Sequence, residues 1–179
     1  MQVKKSYGFP IILASTSPYR RELLARLNLN FSQEAPLFNE DLFKGQIQDP
    51  RLLAQFLAKK KAESIATIHS NEACVIGGDQ IVSFRGHVIG KPHSSEKACE
   101  QLGRLQGQTH ELITAICLIH KTQVYEILDI TKMTMRTLSQ EQIERYVELD
   151  QGVDCAGSYK IEKHGISLFS KIEKSLRSS

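Results

Sequence analysis

The sequence predicts one mixed α/β domain spanning residues 1–179, and three observations carry that prediction. Short apolar runs alternate with helix-like stretches in the first half, beginning at Ile11-Ile12-Leu13-Ala14. Two longer strand-like stretches, Ile113 to Ile119 and Val124 to Met135, then follow one another directly, so the sheet is not purely parallel. The chain has 179 residues and is 41% hydrophobic, enough for a buried core but short for two domains.

The elements can be justified in order. Ile11 to Ala14 reads as a buried strand, and Ser17-Pro18 starts a helix: serine accepts a free N–H, and proline lacks the N–H that would be unpaired there. Leu23, Leu24 and Leu27 share one face of this helix, and Asn28 ends it. Phe31 to Ala35 suggests a second strand, and Pro36 to Gln48 a loop. Asp49-Pro50 repeats the cap-then-proline signal for a helix to about Ile68, with Leu53, Phe56, Leu57, Ile65 and Ile68 as its buried stripe. Lys59, Lys60 and Lys61 point three ways, at about 100° per residue.

Ala73 to Ile76 is the next strand, expected to break at Gly77-Gly78-Asp79-Gln80. Ile81 to Ile89 reads as a hairpin about Arg85-Gly86, followed by Gly90-Lys91-Pro92 and a helix from Ser94 to about Leu105. Beyond the two long strands, Ser139 to Gln142 fits a capping box for a helix to about Leu149. A polar turn, Cys155 to Lys160, and a strand at Ile166 to Phe169 complete the pattern.

Charge excludes some classes. The balance of 23 basic and 20 acidic residues, +3, is too even for a dedicated nucleic-acid binder. No apolar stretch approaches the roughly 20 residues of a membrane span, and the basic start, Met1 to Pro10, with the short run after it, does not make a signal peptide. Cys74, Cys99, Cys117 and Cys155 lie far apart, which excludes C-x-x-C zinc spacing and points to reduced thiols in a cytoplasmic protein.

Four segments place polar groups where strands end. In Ser15 to Arg21, free N–H groups at a helix start and two arginines suit an anion, although an ordinary helix start would look the same. In Gly77 to Gln80, Asp79 can accept a proton from water or bind a metal, or be an inert turn aspartate. Lys91, between glycine and proline, can serve a phosphate or simply a surface turn. Cys155 with His164 lacks a third positioned group, which argues against a thiol nucleophile. P-loop, dinucleotide-fingerprint, H-E-x-x-H and G-x-S-x-G motifs are absent.

Taken in order, these segments resemble the Maf family of nucleoside triphosphate pyrophosphatases. The resemblance is carried by Leu13 to Arg21 with Leu23-Leu24, Asn39-Glu40, Ala58 to Ala62 around Lys61, Gly78-Asp79-Gln80, Gly90-Lys91-Pro92 and Cys155 to Glu162. Tyr19, Gln80 and the Cys-Ala-Gly-Ser stretch are similar to the YceF-like branch, which acts on N7-methyl-GTP. The resemblance implies a mixed sheet with flanking helices, two lobes around a cleft, and a homodimer acting on a nucleoside triphosphate. It implies Asp79 as proton acceptor; Ser15, Arg20, Lys61 and Lys91 as phosphate-binding residues; Glu40 and Asp79 as ligands of a divalent cation, Mg²⁺ or Mn²⁺; and Tyr19, Gln80 and Glu162 as residues that set base specificity.

The residue types suit that chemistry. Cleavage between the α and β phosphates spreads negative charge over oxygens, which cations stabilise. Methylation at N7 makes guanine cationic, so a tyrosine face adds roughly 0.5–2 kcal/mol and a carboxylate adds attraction. Other noncanonical or pyrimidine triphosphates remain alternative substrates, and a catalytically weak nucleotide-binding protein is the reading from another class.

The sequence departs from the family pattern at Asn39, where aspartate is common, at Ala115, where glycine is usual, and at Lys171 to Ser179, which lacks the expected Gly-Leu-Pro-Leu helix pattern. Either that helix is absent or the tail has diverged.

Overall fold

A computed structural model describes residues 7–43, 45–70 and 72–174. The first six residues of the basic start and the last five of the tail therefore lie outside the described residues. The order is β1 (Ile11–Ala14), α1 (Pro18–Ala25), β2 (Ser32–Glu34), a 3-10 turn (Glu40–Leu42), α2 (Pro50–Ile68), β3 (Cys74–Phe84), β4 (His87–Ile89), α3 (Ser95–Leu105), β5 (Thr109–His120), β6 (Gln123–Met135), α4 (Gln140–Asp150), 3-10 turns through 152–168, and β7 (Phe169–Lys174). Among the described residues, seven strands form a sheet ordered β2-β1-β3-β5-β6-β7, with β4 on β3. β1 pairs in parallel with β2 and β3, whereas β4 on β3 and β7 on β6 are antiparallel, so the sheet is mixed.

The capping signals hold. Ser17 accepts from Arg20 N at 3.4 Å, and Asp49 accepts from Arg51 N at 2.7 Å. Ser94 accepts from Lys97 N, and Ser139 exchanges both capping-box bonds with Gln142. Each such cap contributes about 1 kcal/mol.

Four expectations are corrected. β3 does not break at Gly77-Gly78-Asp79-Gln80 but runs unbroken to Phe84, because glycine can stay extended and Gly77 pairs with Ala14 of β1. The last strand lies after Ile166–Leu168, not on it. Residues His164–Leu168 form a 3-10 turn, and Phe169–Lys174 pair with β6 despite their polarity, since ladder bonds use only the backbone. Helix α1 ends at Ala25, three residues before Asn28, and Leu23 and Leu27 of its expected apolar face are exposed. Ile68, at the last turn of α2, is also exposed.

The chain divides into two compact units, residues 1–79 with 114–128, and residues 80–113 with 129–179. The first packs α2 on the sheet face that carries Ile12, Ala14, Val75 and Gly77, with Leu57 and Ile65 buried on the helix. The second packs α3 and α4 around Leu102, Leu105, Met135, Ile143 and Val147, closed by Leu168.

Candidate active site

Helix α2 approaches β3 at Gly77. A side chain there is excluded: a Cβ on Gly77 would lie 2.2 Å from the Ala58 carbonyl oxygen. Side chains two apart on a strand share a face, and positions three apart on a helix are neighbours. The contact between Gly77 and Ala58 therefore carries Asp79 and Lys61 together. Lys61 Nζ donates to Asp79 Oδ1 at 2.7 Å, and the two side chains are only 6% and 9% exposed. Lys61 thus occupies an inward position on α2, in line with Ala54, Ala58 and Ile65, while Lys59 pairs with Glu126 and Lys60 with Glu63.

Two further expected residues join this pair. Glu40 Oε1 lies 2.9 Å from Lys61 Nζ. Its turn is anchored by an aromatic cluster that the sequence reading missed: Phe43 packs on Phe38 at 5.3 Å and on Phe56 at 4.9 Å between ring centres. The signal was two phenylalanines, Phe38 and Phe43, five residues apart in the stretch read as a loop. Arg20 Nη2 lies 3.9 Å from Asp79 Oδ1, and its chain runs along Gly78, where a Cβ would meet Arg20 Nε at 3.8 Å. Burial pushes the Asp79 carboxyl above its ordinary value, against the pull of Lys61 and Arg20.

Ser15 is buried and shapes the turn between β1 and α1. Its hydroxyl accepts from Ser17 N at 3.1 Å, and its N–H donates to Glu34 O at 2.9 Å. Tyr19 is half-buried on α1. The arrangement gives the first unit a partly exposed guanidinium, a buried ammonium and a carboxylate poised to take a proton. Divalent cations such as Mg²⁺ take hard oxygen donors, commonly one or two carboxylates completed by phosphate. Glu40 and Asp79 each give Lys61 one oxygen and have a second to offer, which suits such an ion completed by substrate. Among the described residues no group of three or more His, Cys, Asp or Glu could hold a metal ion.

Gln80, Lys91 and Glu162 belong to the second unit, where all three are exposed. Ala115 is buried, with its carbonyl 3.7 Å from where a Gly78 Cβ would lie. In the Cys155–Tyr159 turn, Gly157 has φ of +73°, and a Cβ would fall 2.9 Å from the Tyr159 ring. Ser158 Oγ donates to Gln101 Oε1 at 2.7 Å, which pins the turn to α3. His164 pairs with Asp150, and burial pushes the Cys155 thiol up, both of which argue against a Cys155 nucleophile. Among the described residues no helix is long and apolar enough to cross a membrane.

The profile of the Maf-like protein family matches residues 10–178. A 7-methyl-GTP pyrophosphatase of Bdellovibrio bacteriovorus is 54% identical over 164 residues, covering 91% of this chain and 85% of that protein. Similar proteins of the same name in Pseudomonas putida and Xanthomonas axonopodis pv. citri are 43% and 42% identical, over 89% and 90% of this chain and 83% and 84% of theirs.

Proposed function

This chain belongs to the Maf-like protein family, and from that premise we propose that it is a nucleoside triphosphate pyrophosphatase that hydrolyses N7-methyl-GTP to N7-methyl-GMP and pyrophosphate. The observation that carries the chemistry is the buried Asp79 carboxylate, raised by burial and faced by Lys61 and Arg20. The observation that carries the substrate is the likeness to 7-methyl-GTP pyrophosphatases.

Asp79 takes the proton of a water whose oxygen bonds to phosphorus, while the anhydride P–O bond breaks and its electrons leave with pyrophosphate. A raised carboxyl is a better proton acceptor than an ordinary aspartate. Lys61 and Arg20, with Lys91, place positive charge where the phosphate oxygens gain negative charge. Ser15 holds the turn that leads into α1, whose positive helix end attracts the phosphates. A divalent cation, Mg²⁺ or Mn²⁺, held by Glu40 and Asp79, supplies further charge neutralisation when bound.

Base choice belongs to Tyr19, Gln80 and Glu162. The methylated guanine is cationic, so a tyrosine face and a carboxylate both favour it over plain guanine. The protein is a cytoplasmic homodimer in this reading. Exposed Val124, Tyr125 and Ile127 on β6 offer apolar surface for such an assembly.

A panel of N7-methyl-GTP, GTP, dTTP and UTP with Mg²⁺, read by pyrophosphate release, tests the reading. The highest kcat/KM belongs to N7-methyl-GTP. A pyrimidine nucleotide in first place would remove the base assignment, and no release from any of them would leave a binding protein.

A further inference from the structure

Asp150 is the last residue of α4 and its side chain is 1% exposed. A carboxylate there faces the negative end of the helix dipole, an unfavourable position. The helix stop does not require it, because Gln151 already turns into the left-handed region at φ of +46°. What the acid does is visible in its partners. Tyr146 Oη donates to Asp150 Oδ2 at 2.7 Å, and His164 Nδ1 donates to Asp150 Oδ1 at 3.0 Å. The same Tyr146 Oη accepts from Lys160 N at 3.1 Å, and Lys160 Nζ donates to the Asp150 carbonyl at 2.8 Å.

These bonds bracket one short turn. Lys160 is tied at its start and His164 at its end, and Lys163 N and Gly165 N both donate to Lys160 O at 3.0 Å. Glu162 stands between the two ties and is exposed. His164 has a side chain 65% exposed, yet it turns inward to the buried carboxylate.

We infer that Asp150 is a positioning residue for substrate selection: through His164 on one side and Tyr146 on the other it holds the Lys160–His164 turn, and so fixes how Glu162 meets the base. The inference rests on the reading of Glu162 as a base-contacting acid. A carboxylate presented by a tied turn loses less freedom on binding than one on a loose loop, and it discriminates more sharply for that reason.

The experiment measures kcat and KM for N7-methyl-GTP and for GTP in wild type, Glu162→Gln, His164→Ala, Asp150→Asn and the double variant Glu162→Gln with His164→Ala. His164→Ala removes an exposed side chain and keeps the fold available if Asp150→Asn is too unstable. Both single clamp variants lower the ratio of kcat/KM for the methylated over the plain nucleotide by roughly threefold to tenfold, mainly through KM for the methylated one. In the double variant the ratio stays where Glu162→Gln alone puts it, because the clamp acts through Glu162.

An unchanged ratio in His164→Ala, alongside a lowered ratio in Glu162→Gln, overturns the inference while leaving the base reading intact. Equal losses on both nucleotides also overturn it, since they mark a merely structural role. A further additive loss in the double variant overturns it too. An unchanged ratio in Glu162→Gln overturns the base reading, and the inference falls with it.

Discussion

Asp79 and Asp150 are almost completely buried acids, one in each unit, yet their carboxyls end up shifted in opposite directions. At Asp79 the cations Lys61 and Arg20 both approach Oδ1, and burial prevails, so its carboxyl is raised. At Asp150 burial also pushes upward, but Tyr146 and His164 donate to different oxygens and the charges of His164 and Lys160 add to them. The net result is a carboxyl below its ordinary value. Two hydrogen-bond donors and two nearby cations hold the Asp150 carboxyl down, whereas at Asp79 desolvation, helped by the Glu40 charge, outweighs Lys61 and Arg20.

The largest effect that can break this contrast is at Asp79. Asp79→Asn keeps an acceptor for Lys61 but cannot take a proton, so turnover falls on the order of 10²–10⁴-fold while nucleotide binding persists. Steady-state rates and equilibrium binding on the same folded sample check this; near-normal turnover would remove Asp79 from the chemistry. Arg20→Ala follows, with a loss of roughly 10²-fold in kcat, because it removes charge needed as the phosphates reach the transition state. An intact kcat and KM would make Arg20 a surface group.

His110 extends the contrast to a buried base. It is 2% exposed, bonds Tyr159 Oη at 2.9 Å through Nε2, and has Nδ1 buried without a partner. Burial lowers its pKa to about 4 from 6.5. The folded state therefore favours the neutral ring: stability is fully present above pH 6.5 and is lost as pH falls from 6.5 to about 4. The loss is on the order of 3 kcal/mol at full protonation, and denaturant melts of wild type and His110→Asn between these limits measure it. Parallel acid sensitivity in the two proteins would refute it.

The smallest effect sharpens the other side. Asp150→Asn costs about 2 kcal/mol at neutral pH, as for a hydrogen bond to a charged group, and leaves cleavage chemistry in place. Its sign follows from the lowered pKa: the contribution of ionised Asp150 is present above its ordinary value of 3.8 and is lost as pH falls through its lower folded value. The stability gap between wild type and variant should therefore close in acid. A gap that persists unchanged would mean that packing, not charge, ties the turn.

Much of the fold was legible because its signals are local. The serine and aspartate caps, the prolines after Ser17 and Asp49, and the capping box at Ser139 each act within a few residues, and each helix start agrees with them. The unbroken course of β3 was not legible, because paired glycines read as a turn unless a neighbouring strand and a close helix are known. In the site, Asp79, Glu40 and Arg20 were named through the family resemblance, as was Lys61. Residue chemistry alone placed Lys61 among three lysines without showing that it points inward. For Asp150 the local signal was slight, a tyrosine one helical turn earlier in α4. Its other partners lie ten and fourteen residues downstream, at spacings no helix or strand brings together.

The absence of a side chain at Gly77 has a mechanical consequence. With Ala58 seated directly on the strand, α2 and β3 touch backbone to backbone, like gears without play. Interiors packed this closely compress little and transmit strain. The spacing between the Lys61 and Asp79 backbones is thus set without an intervening side chain, and the buried 2.7 Å bond between the two groups spans what is left.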